Sequence, residues 1–217
     1  MRQLLISATE NLVVELYENK KLINHAMPSN NQAEEMLALI KQVLKGKSID
    51  SVDEILLNVG PGSFTGIRAS MALVLGLVTR KNIKVVAYTS FDNFEYSKVT
   101  TQTILVVSGF SNFVYTKFIG GKEDNQMRCI TISELCEFAT FHNCEVWVAN
   151  EELLNKLKKH NPNINVVVAG FSSNNVIKKH NDFALEKRNL EPVYLRASQA
   201  EIQRLERLIT NGKKDTN

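Results

Sequence analysis

The chain opens with three short segments of strand character, Gln3 to Ala8, Leu12 to Glu18 and Lys21 to Ala26, separated by the polar pairs Glu10-Asn11 and Asn19-Lys20. Apolar runs punctuated in this way predict an antiparallel meander. From Asn31 the period changes. Ala33, Met36, Leu37, Ile40, Val43 and Leu44 recur at three- and four-residue spacing, which predicts a helix that Gly46 stops. Glu54 to Val59 then reads as a buried strand, Gly60 to Gly62 as a turn, and about Ser63 to Lys81 as a helix. Ile83 to Ala87 is a further strand, and Ser90 is placed to cap a short helix after it.

Polar residues around Lys98 to Thr103 mark a boundary. Beyond it, Ile104 to Val107 and Phe113 to Ile119 predict a hairpin, with Cys129 to Thr131 as a third strand. A helix from Ser133, a strand Glu145 to Ala149, a helix Glu151 to His160, a strand Ile164 to Ala169 and a helix from Ser172 follow. Both halves therefore read as strands followed by αβαβα, and the economical fold class is α/β with a mixed sheet built twice. The expected lobes are residues 1–100 and 101–217. A closing amphipathic helix is expected over about Ser198 to Asn211, with Ala200, Ile202, Leu205, Leu208 and Ile209 on its apolar stripe.

Composition narrows the function classes. The net charge of +3 is modest and spread along the chain, so no basic stripe demands nucleic acid. Lys178, Lys179, Lys187 and Arg188 form a late basic cluster broken by acids, which reads as a solvated face. No apolar run approaches the roughly 20 residues needed to span a bilayer, and the start lacks a signal-peptide pattern, so a cytoplasmic protein without membrane contact is expected. Cys129, Cys136 and Cys144 show no CxxC spacing, and His25, His142, His160 and His180 are scattered. Neither pattern suggests a disulfide framework or a metal site, and no cofactor is expected.

The turn Gly60-Pro-Gly-Ser-Phe-Thr-Gly66 lies where many proteins hold a phosphate on a helix N-terminus. It lacks the lysine and hydroxyl of a Walker A loop, and it misses the Gly-x-Gly-x-x-Gly spacing by one. Its structural explanation is that Pro61 fixes one backbone angle, Gly62 takes an angle closed to other residues, and Ser63 caps the helix. That helix has little polar surface: Ile67, Met71, Val74 and Val78 form one face, Leu73 and Leu77 a second, and Ala69, Ala72 and Gly76 a flat third. Arg68 is its single charge between Ser63 and Thr79. A helix apolar all round must be covered all round. Either another chain covers the small stripe, or the second lobe or first helix does.

The segment Gly60 to Arg68 resembles the signature of the TsaB (YeaZ) family, which serves the threonylcarbamoyladenosine modification of tRNA next to the anticodon. Leu4 to Thr9 stands where that family opens with an Asp-Thr-Ser strand. Glu34 and Leu37 match its first helix, Val114-Tyr115 falls in the second-half hairpin, and Glu191 to Arg196 resembles its near-terminal Pro-x-Tyr-Leu-Arg. The resemblance implies a duplicated actin-like and sugar-kinase-like (ASKHA) fold. It implies a non-catalytic scaffold that pairs with a TsaD-type transferase, is served by a TsaE-type ATPase and meets tRNA indirectly through that complex; a homodimer is expected of the chain when alone, since self-pairing would hide the apolar helices. The implied interface lies on the two first-lobe helices: Met36, Leu39 and Val43, then Ser63, Phe64, Gly66, Ala69, Ser70, Ala72, Leu73, Gly76 and Leu77. The chain departs from the pattern at Ser7, Gln32 and Ser108-Gly109-Phe110, where acidic or histidine side chains are usual, which weighs against productive ATP binding. The rival readings are a kinase-like or peptidase-like enzyme of the same fold, and a homodimer of other function.

Overall fold

A computed structural model describes residues 1–28, 35–95, 99, 102–181 and 190–197. The first half runs β1 (Arg2–Ser7), β2 (Val13–Glu18), β3 (Lys21–Ala26), α1 (Met36–Leu44), β4 (Glu54–Asn58), α2 (Phe64–Val78) and β5 (Lys84–Tyr88), with a 3-10 turn at Ser90–Asn93. The second runs β6 (Thr103–Ser108), β7 (Phe113–Ile119), β8 (Met127–Thr131), α3 (Ile132–Phe141), β9 (Glu145–Val148), α4 (Glu151–His160), β10 (Val166–Val168) and α5 (Ser173–Asn181). The predicted element order is observed throughout the described residues. The expected start of the first helix before Glu35 and the expected closing helix after Ala197 lie outside them, as do Lys187 and Arg188.

The strands form two five-stranded sheets, β3-β2-β1-β4-β5 and β8-β7-β6-β9-β10. In both, the hairpin strands pair antiparallel and the last two strands add in parallel. The second sheet thus repeats the first strand for strand, and the α/β fold is built twice as expected. Alternation explains the layers. On β1 and β4, Leu4, Ile6, Ile55 and Leu57 face α1 and α2, whereas Leu5 and Leu56 face the other way.

The inner faces are covered by exchange. Val176 and Ile177 of α5, from the second half, pack on Leu5, Tyr17, Leu56 and Tyr88 of the first sheet. Phe91 of the 3-10 turn and Phe94 just after it, from the first half, pack on Leu105, Val107 and Tyr115 of the second. Lys179 fastens the exchange by donating to the carbonyl oxygens of Asp92 at 2.8 Å and Phe94 at 2.6 Å. Burial pushes its pKa down to about 8, with Asp92 opposing the shift. Lys179 is therefore an internal fastener, which corrects its reading as part of a solvated face.

Local chemistry sets the helix ends. Thr131 and Glu134 form a capping box at α3, and Asn150 caps α4. Glu151 and Glu152 open α4 and Lys158, Lys159 and His160 close it, matching the helix dipole at both ends. At the 3-10 turn the cap is Thr89, not Ser90. The Asp92 carboxylate accepts from both the Thr89 amide and hydroxyl at 2.7 Å, which leaves the Ser90 hydroxyl free to donate to the Pro61 carbonyl.

Candidate functional site

The turn between β4 and α2 is built from inside. Asn58, buried at the end of β4, accepts from the Gly60 amide at 3.0 Å, and its own amide group is shared among Ser7, Thr9 and Ser90 hydroxyls. The Gly60-Pro61 peptide is cis. Gly60 has φ +115, and a Cβ there would stand 2.7 Å from the Val193 carbonyl oxygen. The angle closed to other residues thus belongs to Gly60 and not to Gly62, as the sequence had suggested. Gly62 is required for a different reason: a Cβ would lie 2.4 Å from the Thr9 carbonyl oxygen.

Ser63 caps α2 by accepting from the Gly66 amide at 3.2 Å, as its residue type predicts. Its own amide donates to the Thr9 carbonyl at 2.7 Å. Amides at Gly60, Ser63 and Gly66, which a phosphate loop would aim outward, are therefore engaged within the chain.

Downstream of the turn, α2 lays Gly66, Ile67, Ser70 and Val74 against the first sheet. Ser70 is buried and returns its hydroxyl to the Ile67 carbonyl at 3.0 Å. Leu73 and Leu77 are half-buried against the lobe core, as are Met71 and Val78. Thr65, Arg68, Ala72, Leu75, Gly76 and Thr79 share the opposite, exposed side, with Ala69 at its edge. Leu75 is 48% exposed, and apart from the helix's own backbone and Gly76's neighbours no atom of the described residues lies within 4 Å of where a Cβ on Gly76 would be. Between Arg68 and Thr79 this side of the helix is apolar, small at Ala72 and Gly76 with Leu75 projecting between them.

The sequence-expected interface residues thus separate. Met36, Leu39 and Val43 of α1 are interior, packed into the lobe core. Gly66 and Ser70 are interior as well, Ser63 is spent on the cap, and Phe64 is half-buried under another segment. Ala72 and Gly76 lie open, with Ala69, Leu73 and Leu77 flanking them. Leu75 is an exposed apolar side chain that the sequence did not single out, and on α1 Leu37, expected on the apolar face with Met36 and Ile40, is 40% exposed. The helical wheel carried a signal for Leu75, since it lies about 180° from the buried Gly66.

Two motifs far apart in the chain meet at the first turn of α2. The Phe64 ring stacks on Tyr194 with centroids 4.4 Å apart, and Arg68 Nε donates to the Tyr194 hydroxyl at 3.0 Å. Arg196 lies over both Phe64 and Phe110, and its Nε donates to the Tyr115 hydroxyl of β7 at 3.2 Å. Val193 donates to the Val59 carbonyl at 2.7 Å, while Leu190 packs on the outer core of the first lobe and Leu195 on the inner core of the second. Residues 190–197 therefore run as a strap across both lobes. Nothing in the spacing of the sequence signals this contact.

The cleft between the lobes is narrow. A cavity of about 140 Å³ is lined by Ser7, Thr9, Asn58, Tyr88, Ser90 and Ser108 among others. A second, wider opening of about 550 Å³ shares Thr9, Glu10 and Ser108 with it and is lined also by Phe64, Phe110, Lys156 and Arg196. The hydroxyls of Ser7, Thr9 and Ser90 are bonded to Asn58, and Ser7 also to Thr9, an arrangement that holds the turn. Among the described residues no group of three His, Cys, Asp or Glu side chains is placed to hold a metal ion, and no helix is long and apolar enough to cross a membrane.

A second buried polar cluster lies on the first sheet. Glu54 accepts from His180 Nε2 at 2.6 Å and Gln3 Nε2 at 3.0 Å, and pairs with Lys84 at 3.0 Å. Burial alone would raise its pKa, but the hydrogen bonds from His180, Gln3 and Lys84 together outweigh it and hold the carboxyl at about 2.

No family model matches the chain, and no curated protein matches it in sequence. Solved structures do. An uncharacterized protein with similarity to peptidase YEAZ from Pseudomonas aeruginosa superposes with a TM-score of 0.61 at 16% identity, covering 90% of this chain and 98% of that one. YeaZ from Pseudomonas aeruginosa superposes with a TM-score of 0.59 at 15% identity, covering 89% and 99%. At such identity the likeness is one of fold, and over about nine-tenths of its length this chain has the fold of YeaZ.

Proposed function

We propose that the chain is a non-catalytic scaffold that docks through α2 onto a TsaD-type transferase and supports threonylcarbamoyladenosine formation on tRNA. A TsaE-type ATPase acts on the pair, and tRNA is met through the complex. The observation that carries this reading is the small apolar side of α2, from Ala72 to Thr79, left open in a chain with the fold of YeaZ. Ala72 and Gly76 let a second helix approach closely, and none of the described helices covers them. The engaged amides of Gly60, Ser63 and Gly66 and the bonded hydroxyls of Ser7, Thr9 and Ser90 support a scaffold over a kinase-like or peptidase-like enzyme.

Co-expression with the TsaD-type paralogue of the same genome, followed by size exclusion with light scattering, tests it. A stable heterodimer is expected, and Gly76→Glu is expected to abolish it while leaving the melting temperature within a few degrees of the parent chain. A chain that stays a homodimer in the presence of the paralogue overturns the reading.

A further inference from the structure

We propose that Tyr194 is a positioning residue for the docking helix: by stacking on Phe64 and bonding Arg68, it orders the one cation of α2 before a partner arrives. The inference rests on α2 being the docking element.

Arg68 is exposed and shares the open side of α2 with Ala72, Leu75 and Thr79, so a partner seated on that side meets it at the rim. A helical side chain leans over the turn N-terminal to its own Cα, which brings Arg68 toward Phe64, four residues before it. There the guanidinium carbon lies 5.8 Å from the Phe64 ring centroid and 5.5 Å from that of Tyr194. With Nε held by the Tyr194 hydroxyl at 3.0 Å, ring faces and a directed hydrogen bond act on one group. An arginine loose at an interface rim must be ordered on binding, and association then bears the lost rotamer freedom. The strap makes that loss part of folding instead. It holds because it is anchored on both sides, by Val193 on Val59 and by Arg196 on Tyr115.

A double-mutant cycle on the full chain, read as affinity for the TsaD-type paralogue, tests the role. Tyr194→Ala is expected to weaken pairing about three- to tenfold, the range set by freeing one long side chain. Arg68→Ala is expected to stay within about twofold of the parent, and the combined variant to return to that level, a non-additivity that a merely structural loss would not give. Pairing as weak in the combined variant as in Tyr194→Ala overturns the inference, and so does a loss in Arg68→Ala equal to that in Tyr194→Ala. Should Tyr194→Ala fail to fold, Tyr194→Phe keeps the stack and removes the hydroxyl. In arginine-labelled NMR spectra the Arg68 Nε–H signal is then expected to lose its protection from exchange, and an unchanged signal overturns the inference. Gly76→Glu separates the two levels. If it abolishes pairing while Tyr194→Ala does not weaken it, the inference alone falls; if the parent chain does not pair, the docking reading falls and the inference with it.

Discussion

Gly66 and Gly76 occupy the same helix under opposite constraints. A Cβ on Gly66 would lie 1.9 Å from the Ala8 carbonyl oxygen, a backbone atom of the neighbouring strand end that cannot turn aside. A Cβ on Gly76 would meet nothing within 4 Å. Gly66→Ala is therefore expected to destabilise the chain by about 1–3 kcal/mol, the usual cost of overpacking. Gly76→Ala is expected to stabilise it by about 0.5–1 kcal/mol through helix propensity. Urea midpoints of the two variants check the contrast. Gly76 thus forgoes stability that a single methyl group would supply, which fits a position kept flat for close approach by another helix.

Among elements, α5 shows how a buried charge can join parts distant in sequence. His180, at its last turn, reaches Glu54 on β4, where Gln3 of β1 and Lys84 of β5 complete the carboxylate's partners. Because the folded pKa of about 2 lies below the ordinary 4.5, ionised Glu54 contributes stability above about pH 4.5 that is lost as pH falls toward 2. Unfolding by urea between pH 3 and 7 is expected to show this acid limb, and Glu54→Gln is expected to flatten it. An equally steep limb in Glu54→Gln would place the acid sensitivity elsewhere. The strap over α2 joins elements in the same way, with ring stacking in place of a buried charge.

At the scale of the whole molecule the two halves are interleaved, since each sheet's inner face is covered by an element from the other half. A defect in one sheet should then be felt by the other. Leu56→Ala removes a fully buried side chain from the inner face of the first sheet and is expected to cost about 2–5 kcal/mol. Trp147, the chain's single tryptophan, lies on the inner side of the second sheet and reports that lobe's unfolding by fluorescence. Its transition is expected to shift together with the circular-dichroism transition as one cooperative step. Two separated transitions would show that the lobes unfold independently in spite of the exchange.

The sequence alone determined what depends on neighbours within a few residues. Alternation and helical spacing gave the order of strands and helices, Ser63 announced its cap, and the Gly60–Arg68 segment pointed to the fold that the solved structures bear out. The outward side of α2 was legible as a small-residue stripe because helical periodicity separates it from Val74 and Ile67. Tertiary structure decided everything that depends on which distant groups come together. It placed Met36, Leu39 and Val43 in the interior, because the first sheet needs a cover that periodicity cannot assign to one side or another. It assigned positive φ to Gly60 and brought the Val193 carbonyl, from near the far end of the chain, to where a side chain there would stand. It also turned Lys179 inward onto carbonyl oxygens of the other half and set Tyr194 against Phe64 and Arg68. Such contacts join positions far apart in the chain, and local spacing carries no trace of them.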